Sequence, residues 1–178
     1  LNHVYEGLVR YNQDLEVEPA LATSWEFVEP TRLRFSLREG VTFHNGNPFT
    51  ADDVVASLER AAHESSPVKS NIPSMASVEK VDDLTVDLIL TGPDPIVLNY
   101  LTNIHILDRE WMEENDALLP ADMRGGRENY AVANSNGTGP FKLAEYRPGE
   151  VLRLEKFDGY HLRPAMIDGV EFLISGGN

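Results

Sequence analysis

The five histidines are the side chains in this sequence best suited to metal binding or to proton transfer near neutral pH. They are His3, His44, His63, His105 and His161. No two of them stand one helical turn apart, which is the spacing that places two metal ligands on the same face of a helix. A metal centre would have to gather ligands from distant segments, so we predict that the chain holds no metal and needs no cofactor.

Nucleophilic catalysis has little support in the sequence. Cysteine is absent, and no serine stands in the Gly-x-Ser-x-Gly motif that exposes a nucleophile at a strand-to-helix turn. The glycines of residues 136–140, NGTGP, could form a phosphate-binding loop, but such a loop opens into a helix, and a strand pattern follows Pro140 here. We interpret this segment as a structural turn, and we predict that the chain has no catalytic residue and is not an enzyme.

The composition is that of a folded domain with an acidic excess. The chain has 178 residues, of which 42% are hydrophobic and 25% are charged, so it can bury a core. Its 15 basic and 29 acidic residues give a formal net charge of -14, which disfavours nucleic acid and anionic membrane surfaces as partners. No apolar run approaches the roughly 20 residues that a membrane-spanning helix needs. The lack of cysteine excludes disulfides but leaves the compartment open.

Two stretches alternate apolar and polar residues with the period of a half-buried strand, and each predicts an antiparallel hairpin. In the first, the apolar residues flank the polar triplet EPT; they are Trp25, Phe27, Leu33, Phe35 and Leu37. In the second, they flank an Asp82-Asp83 turn; they are Val78, Val81, Leu84, Val86, Leu88 and Leu90.

Residues 43–61, FHNGNPFTADDVVASLERA, combine a turn with the start of a helix. The triplet HNG predicts the turn. Thr50 can cap the first free N–H groups of the helix, Asp53 can complete a capping box, and Phe49 can pack against Val54. The apolar residues that follow recur on one helical face. We therefore predict an architectural role for this stretch rather than acid–base chemistry.

Weaker patterns follow residue 90. We predict two short helices, capped by Asp94 and Asp108, on either side of an apolar strand at residues 104–107, IHIL. The polar segment 120–137 is too long for a plain connection, and we favour a functional role for it. Strand patterns return at residues 141–146, 151–157 and 170–175.

Four segments carry a family resemblance. They are YEGLVRYNQDLEVEPALATSWEF, LRFSLREGVTFHNGNPFTADDVVASLERA, VEKVDDLTVDLIL and NGTGPFKLAEYRPGEVLRLEKFDGYHLRPAMIDGVEF. In this order they resemble the family 5 extracellular solute-binding proteins of ABC importers, which include oligopeptide-, dipeptide- and nickel-binding proteins. The resemblance covers nearly the whole chain.

The resemblance implies a fold of the α+β (mixed α/β) class, like that of periplasmic binding proteins, in which two lobes close on a ligand. Residues 1–22 would begin the first lobe, residues 23–133 would form a small subdomain of antiparallel hairpins and helices, and residues 134–178 would return to the first lobe. Members of the family are longer than this chain. We therefore expect an N-terminal fragment that lacks the second lobe.

The function implied by the resemblance is that of a receptor that captures peptides or similar small solutes and delivers them to an ABC permease in the membrane. A receptor of the same fold for nickel chelates, opines or sugars is the alternative. Outside this class, the alternative is a hydrolase that uses His105 as a base. The resemblance further implies a monomer that binds no nucleic acid and is periplasmic or extracellular, with a lipid anchor left open and a signal segment outside this chain.

Five ligand-binding positions are carried over by the resemblance: Tyr5, Met75, Asn103, His105 and Thr138. The first lobe would line the cleft through YEGL and NGTGP, and the subdomain would add the loop after the helix and the strand after the second hairpin. Tyr5 and Met75 could instead be core residues, and Asn103 or His105 could cap neighbouring elements.

Overall fold

The computed structural model of the protein describes residues 3–122, 125–126 and 129–173. Within them nine strands form three sheets, and every strand pair is antiparallel. The first sheet is a two-stranded hairpin of β1 (Val9–Tyr11) and β2 (Val17–Pro19). Together with the helices described below, the sheets confirm the predicted mixed α and β class.

The second sheet contains both predicted hairpins. Its strands are β3 (Ala22–Glu29), β4 (Arg32–Leu37), β5 (Met75–Asp82) and β6 (Thr85–Leu90), in the order β3-β4-β6-β5. Leu33 and Phe35 of β4 and Leu88 of β6 are fully buried, as their alternation predicts. Phe27 is instead 48% exposed, because β3 lies at the edge of the sheet.

The opposite face of this sheet holds a buried carboxylate. Asp87 lies opposite Arg34 in the β4–β6 register, and its side chain is fully buried. Arg34 binds it with two hydrogen bonds, from Nε to Oδ1 at 2.7 Å and from Nη2 to Oδ2 at 2.8 Å. Arg32 adds a third hydrogen bond of 2.8 Å to Oδ2. The charge is therefore compensated by two arginines on one strand.

Helix α1 (Ala51–Ala62) packs against β5 and β6. Thr50 begins it as predicted: its Oγ1 accepts the Asp52 N–H at 3.3 Å, and its own N–H donates to the Asp53 carboxylate at 2.7 Å. Val54 and Leu58 are buried on the helical face that meets the sheet. The capping-box prediction is confirmed.

Two short helices come next in the chain, α2 (Val97–Leu101) and α3 (Arg109–Glu114). The prediction that Asp108 caps α3 is confirmed, since its Oδ1 accepts the Trp111 N–H at 3.2 Å. The cap predicted for α2 is wrong. That helix begins after Ile96, and Asp94 accepts the Ile96 N–H in a turn before the helix.

The strand predicted at residues 104–107 is also wrong, because this segment is irregular. Ile104 and Ile106 are buried in the larger core, and the Ile106 N–H donates to the Glu6 carbonyl oxygen at 2.9 Å. The alternation in IHIL thus reflects burial of two isoleucines rather than pairing within a sheet.

The third sheet follows the NGTGP segment in the order β7 (Phe141–Arg147), β8 (Val151–Lys156) and β9 (Gly169–Leu173). These strands confirm the last three strand predictions as far as residue 173; residues 174–175 lie outside the described part. Gly149, with a φ of 77°, makes the turn between β7 and β8.

Two apolar clusters form the core of the described chain. The larger fills the space between the four-stranded sheet and α1, and it includes Leu8 and Leu21 from the first 22 residues. The smaller consists of Val4, Tyr5, Phe141 and Leu154. The N-terminal segment contributes to both clusters and so joins the two parts of the fold. The domain boundaries after residues 22 and 133 stay predictions. No helix in the described ranges is long and apolar enough to cross a membrane.

Candidate functional site

A cavity of about 710 Å³ lies beside the N-terminal segment. Its walls come from parts of the chain that are far apart in sequence: residues between 5 and 20, residues between 102 and 105, and residues 140 and 160. Tyr5, Asn103 and His105 all border this cavity. The fold thus brings together three of the five positions predicted to bind ligand.

The other two predicted positions do not border this cavity. Met75 begins β5 and packs, partly buried, against the larger core cluster. Thr138 is fully buried, and its Oγ1 donates to Glu6 Oε2 at 2.9 Å. Since Glu6 borders the cavity, the Glu6 side chain separates Thr138 from it. The ligand-binding roles of all five residues stay predictions.

Tyr5 and His105 form an aromatic part of the cavity wall, with ring centroids 6.1 Å apart. Burial raises the pKa of the Tyr5 phenol, and burial lowers the pKa of the His105 imidazole. Both side chains are therefore mainly uncharged at neutral pH. This part of the wall can contact a ligand through shape, apolar surface and hydrogen bonds, but it offers no charge.

Glu6 is a buried carboxylate at the cavity wall that sequence reasoning missed. It accepts hydrogen bonds from Thr138, from the Tyr160 hydroxyl at 3.1 Å and from His161 Nε2 at 2.8 Å. Burial, followed by the nearby negative charge of Glu6, raises the pKa of Tyr160 to about 12. The three donors stand 132, 154 and 155 residues away along the chain, so no local pattern could have indicated this cluster.

The glycines of NGTGP allow this segment to lie directly against the N-terminal residues. A Cβ on Gly137 would lie 2.1 Å from the Val4 carbonyl oxygen, and one on Gly139 would lie 2.6 Å from the His3 carbonyl oxygen. Backbone hydrogen bonds join the two segments, from Gly139 to Val4 at 3.0 Å and from Phe141 to His3 at 2.9 Å. This contact brings Thr138 to Glu6, and it agrees with the interpretation of NGTGP as a structural segment.

His44 joins the predicted turn to the same glycine segment. Its Nδ1 accepts the Gly137 N–H at 3.3 Å, its Nε2 lies 3.0 Å from the Gly139 carbonyl oxygen, and its own N–H donates to the Gly137 carbonyl oxygen at 2.9 Å. The Nδ1 contact requires a lone pair, so the ring carries its proton on Nε2. Burial lowers the pKa of this imidazole, which favours the same neutral form.

Asp108 holds three asparagines in place from a buried position. Its Oδ2 accepts the side-chain amides of Asn45 at 2.8 Å, Asn47 at 2.9 Å and Asn136 at 2.8 Å. The turn before α1, the start of α3 and the glycine segment are thus linked by one carboxylate. The role of the polar segment 120–137 as a whole stays a prediction, and residues 123, 124, 127 and 128 of it lie outside the described residues.

Among the side chains that the structure describes, no group of three or more histidine, cysteine or acidic residues is arranged to hold a metal ion. His44 and His161 are engaged instead in hydrogen bonds within the protein. The expected absence of a metal stays a prediction.

Comparison with known protein families shows in which family this combination of fold and motifs occurs. The model of the bacterial extracellular solute-binding proteins, family 5, matches residues 16–177. The chain belongs to this family. The match includes the turn before α1 and the glycine segment that His44 joins, so the family resemblance of the sequence is confirmed.

Individual relatives of the family differ in their named ligands and roles. The chain is 32% identical to the dipeptide-binding protein of Escherichia coli K12 over 97% of its own length and 35% of that protein. It is 32% identical to the transcriptional regulator SgrR of the same strain, over 94% of the chain and 27% of the regulator. The solved structure of NikZ from Campylobacter jejuni with Ni(L-His) superposes with a TM-score of 0.85 at 26% identity, over 97% of this chain and 34% of NikZ. The chain therefore spans between 27% and 35% of the length of these relatives.

Proposed function

We propose that this chain is the N-terminal part of a solute-binding receptor of an ABC importer, which captures peptides or similar small solutes and delivers them to a membrane permease. The observation that carries the proposal is the cavity bordered by Tyr5, Asn103 and His105 in a chain of the solute-binding family. A concave cavity of this size with a few polar groups at its wall is typical of a small-molecule site.

The chemistry of the cavity supports binding rather than catalysis. The lowered pKa of His105 would suit a base, but its aromatic neighbour Tyr5 is a phenol whose raised pKa keeps it protonated and therefore a poor nucleophile. We propose that the protein releases its solute unchanged. As a receptor it would act as a monomer, outside the cytoplasm, with or without a lipid anchor, and its charge of -14 would keep nucleic acid away.

A different ligand or context has specific support from the relatives. Similarity to NikZ favours a receptor for a nickel chelate. Opines or sugars are the further alternatives that the family resemblance implies. Similarity to SgrR favours a solute-sensing part of a regulator. In each case this chain would contribute solute contacts. The remainder of the protein would determine whether binding serves transport or regulation.

The test is to identify the solute and then to change the cavity wall. Mass spectrometry of the full-length protein, purified under native conditions, should show a bound peptide or other small solute that is recovered intact after release. A chemically cleaved product would instead support the hydrolase alternative.

Variants of the full-length protein then locate the site. His105→Ala should weaken calorimetric binding of the identified solute by about tenfold or more, the loss that removal of one well-placed contact produces. His63→Ala is the matched control, because His63 does not border this cavity. Equal affinities for the His105→Ala variant and the unmodified protein would contradict the proposed location.

A further inference from the structure

Negatively charged residues outnumber positively charged ones at the wall of the cavity. Glu6 and Glu18 contribute two carboxylates, and Arg10 is the one arginine or lysine among the described residues that border the cavity. His105 adds little positive charge, since burial lowers its pKa. A negatively charged group of a bound solute can therefore meet a permanent positive charge at Arg10.

Glu18 holds Arg10 in place but occupies only one of its N–H donors in a hydrogen bond. It stands opposite Glu18 in the β1–β2 register, and its Nε donates to Glu18 Oε1 at 2.6 Å. Arg34, by contrast, uses Nε and Nη2 together to bind both oxygens of Asp87. A guanidinium has five N–H donors arranged as a planar fork. Glu18 takes the Nε–H and the Tyr160 hydroxyl is a further side-chain partner, so part of that fork is left for another acceptor.

Exposure and position make this fork accessible from the cavity. The Arg10 side chain is 47% exposed and that of Glu18 is 36% exposed, whereas the Asp87 side chain is fully buried under its arginines. The nearest other carboxylate of the wall, Glu6, already accepts hydrogen bonds from Thr138, Tyr160 and His161. Glu6 is therefore less suited than a solute to occupy the free side of Arg10.

The negative charge of this chain favours a positively charged residue where an anionic group binds. At -14 the chain repels a carboxylate at long range, and the two carboxylates of the wall repel it at short range. Arginine binds carboxylates in a bidentate geometry that lysine or an amide does not reproduce. One correctly placed guanidinium can therefore decide whether a carboxylate is accepted.

We propose that Arg10 is a specificity residue that binds a carboxylate of the solute, while Glu18 holds the guanidinium in position. The inference rests on the proposed receptor function and defines its solutes as ones that carry a free carboxylate, such as peptides with an unmodified C-terminus. Glu18 is a positioning residue here, and Arg10 makes the contact.

The test compares two probes that differ only in this group: the tripeptide Ala-Ala-Ala as the free acid and as its C-terminal amide. In calorimetry at low salt, the full-length protein should bind the acid about tenfold or more tightly than the amide, a difference of about 1.4 kcal/mol. Arg10→Gln should remove this preference by weakening binding of the acid while changing binding of the amide less than about twofold.

Two further variants control for charge and for folding. Arg147→Gln removes the same charge from an exposed arginine that does not border the cavity, and it should leave the preference intact. The double variant Arg10→Gln with Glu18→Gln removes the unpaired carboxylate, and it should show the same loss as Arg10→Gln alone. Thermal unfolding of each variant shows whether the fold is retained.

The outcomes separate the two proposals. If the unmodified protein binds both peptides and Arg10→Gln or the double variant retains the preference for the acid, Arg10 is not the specificity residue, and the receptor function stands. If the unmodified protein binds neither peptide, the proposed peptide receptor fails, and this inference fails with it.

Discussion

At the scale of single residues, His44 shows how one side chain can be both architectural and sensitive to pH. Its neutral ring accepts one backbone N–H and donates to one backbone carbonyl of the same glycine segment. Protonation would place a second N–H against the N–H of Gly137. Burial lowers the pKa of His44 below its ordinary value of 6.5, so the folded protein resists this proton and the unfolded chain accepts it more readily.

The first prediction follows from that difference. As the pH falls below about 6.5, the contribution of His44 to the free energy of unfolding should decrease, by at most about 1.4 kcal/mol per pH unit for one proton. The glutamine side chain of the His44→Gln variant has no group that takes up a proton in this pH range. Urea unfolding at pH 7.5 and pH 5.5 should therefore show a smaller cost of His44→Gln at the lower pH.

Comparison with a variant is needed because Asp53 acts in the opposite direction. Burial raises the pKa of Asp53 from 3.8 to about 6 although it accepts three hydrogen bonds. The folded state therefore takes up this proton first, and the contribution of Asp53 to stability rises as the pH falls from about 6 towards 3.8. Asp53 is present in both proteins, so its effect cancels. Parallel stability curves for the two proteins would contradict the role given to His44.

At the scale of the elements, the start of α1 provides a second prediction. Thr50 Oγ1 accepts an N–H that the helix itself cannot satisfy. Thr50→Ala should lower the free energy of unfolding by about 1 kcal/mol, and Thr50→Ser, which keeps the hydroxyl, should lower it by less than about 0.5 kcal/mol. Urea titration measures both. An unchanged midpoint for Thr50→Ala would mean that the hydroxyl does not stabilise this helix.

The contact between the glycine segment and the N-terminus provides a third. Gly137→Ala would place a methyl group 2.1 Å from the Val4 carbonyl oxygen, and relief would require movement of backbone. We expect a loss of about 3 kcal/mol in the free energy of unfolding. Gly92→Ala is the matched control: its added methyl would meet no atom within 4 Å, and its cost should be within about 0.5 kcal/mol. Similar costs for both would show that the segments do not pack this closely.

The elements themselves could be predicted because their causes are local. Alternation at Leu33 and Phe35 predicts a strand, and the Thr50 and Asp53 pair predicts a helix start, from neighbours a few residues away. The failure at IHIL has the same origin, since two isoleucines alternate in the same way whether they pair in a sheet or are only buried. The cluster around Glu6 could not be predicted from a single sequence, because its partners become neighbours only in the folded chain.

The candidate site was therefore predicted in part, and only through family resemblance. Tyr5, Asn103 and His105 reach one cavity, while Met75 and Thr138 do not border it. The residues with the clearest chemistry at the wall, Glu6 and Arg10, carry no distinguishing local pattern. Their importance appears when the cavity shows which charges share a wall and which of them are already paired.

At the scale of the whole molecule, a fourth prediction concerns the isolated chain. Its hairpins are local and its core clusters are continuous, so we expect residues 1–178 to fold cooperatively. The family resemblance implies that a second lobe supplies further ligand contacts. Binding must also overcome several kcal/mol of lost translational and rotational freedom. The isolated chain should then bind a peptide at least about a hundredfold more weakly than the full-length protein, equivalent to roughly 2.7 kcal/mol.

Calorimetry with one peptide on both proteins measures this difference, and a single unfolding transition for the isolated chain serves as the folding control. Equal affinities would place the whole binding site within residues 1–178 and would remove the need for a second lobe in binding.

The separation of 155 residues between Glu6 and His161 also has a consequence for synthesis on the ribosome. At about 5 to 20 residues per second, roughly 8 to 30 seconds pass between the synthesis of these two residues. During this interval Val4 and Tyr5 lack Phe141 and Leu154, their partners in the smaller cluster. The hairpins and α1 can form in the meantime, because their contacts are already complete. Val4 and Tyr5 thus precede their partners in the chain but are packed late, and their apolar surface stays without these partners until β7 and β8 have been made.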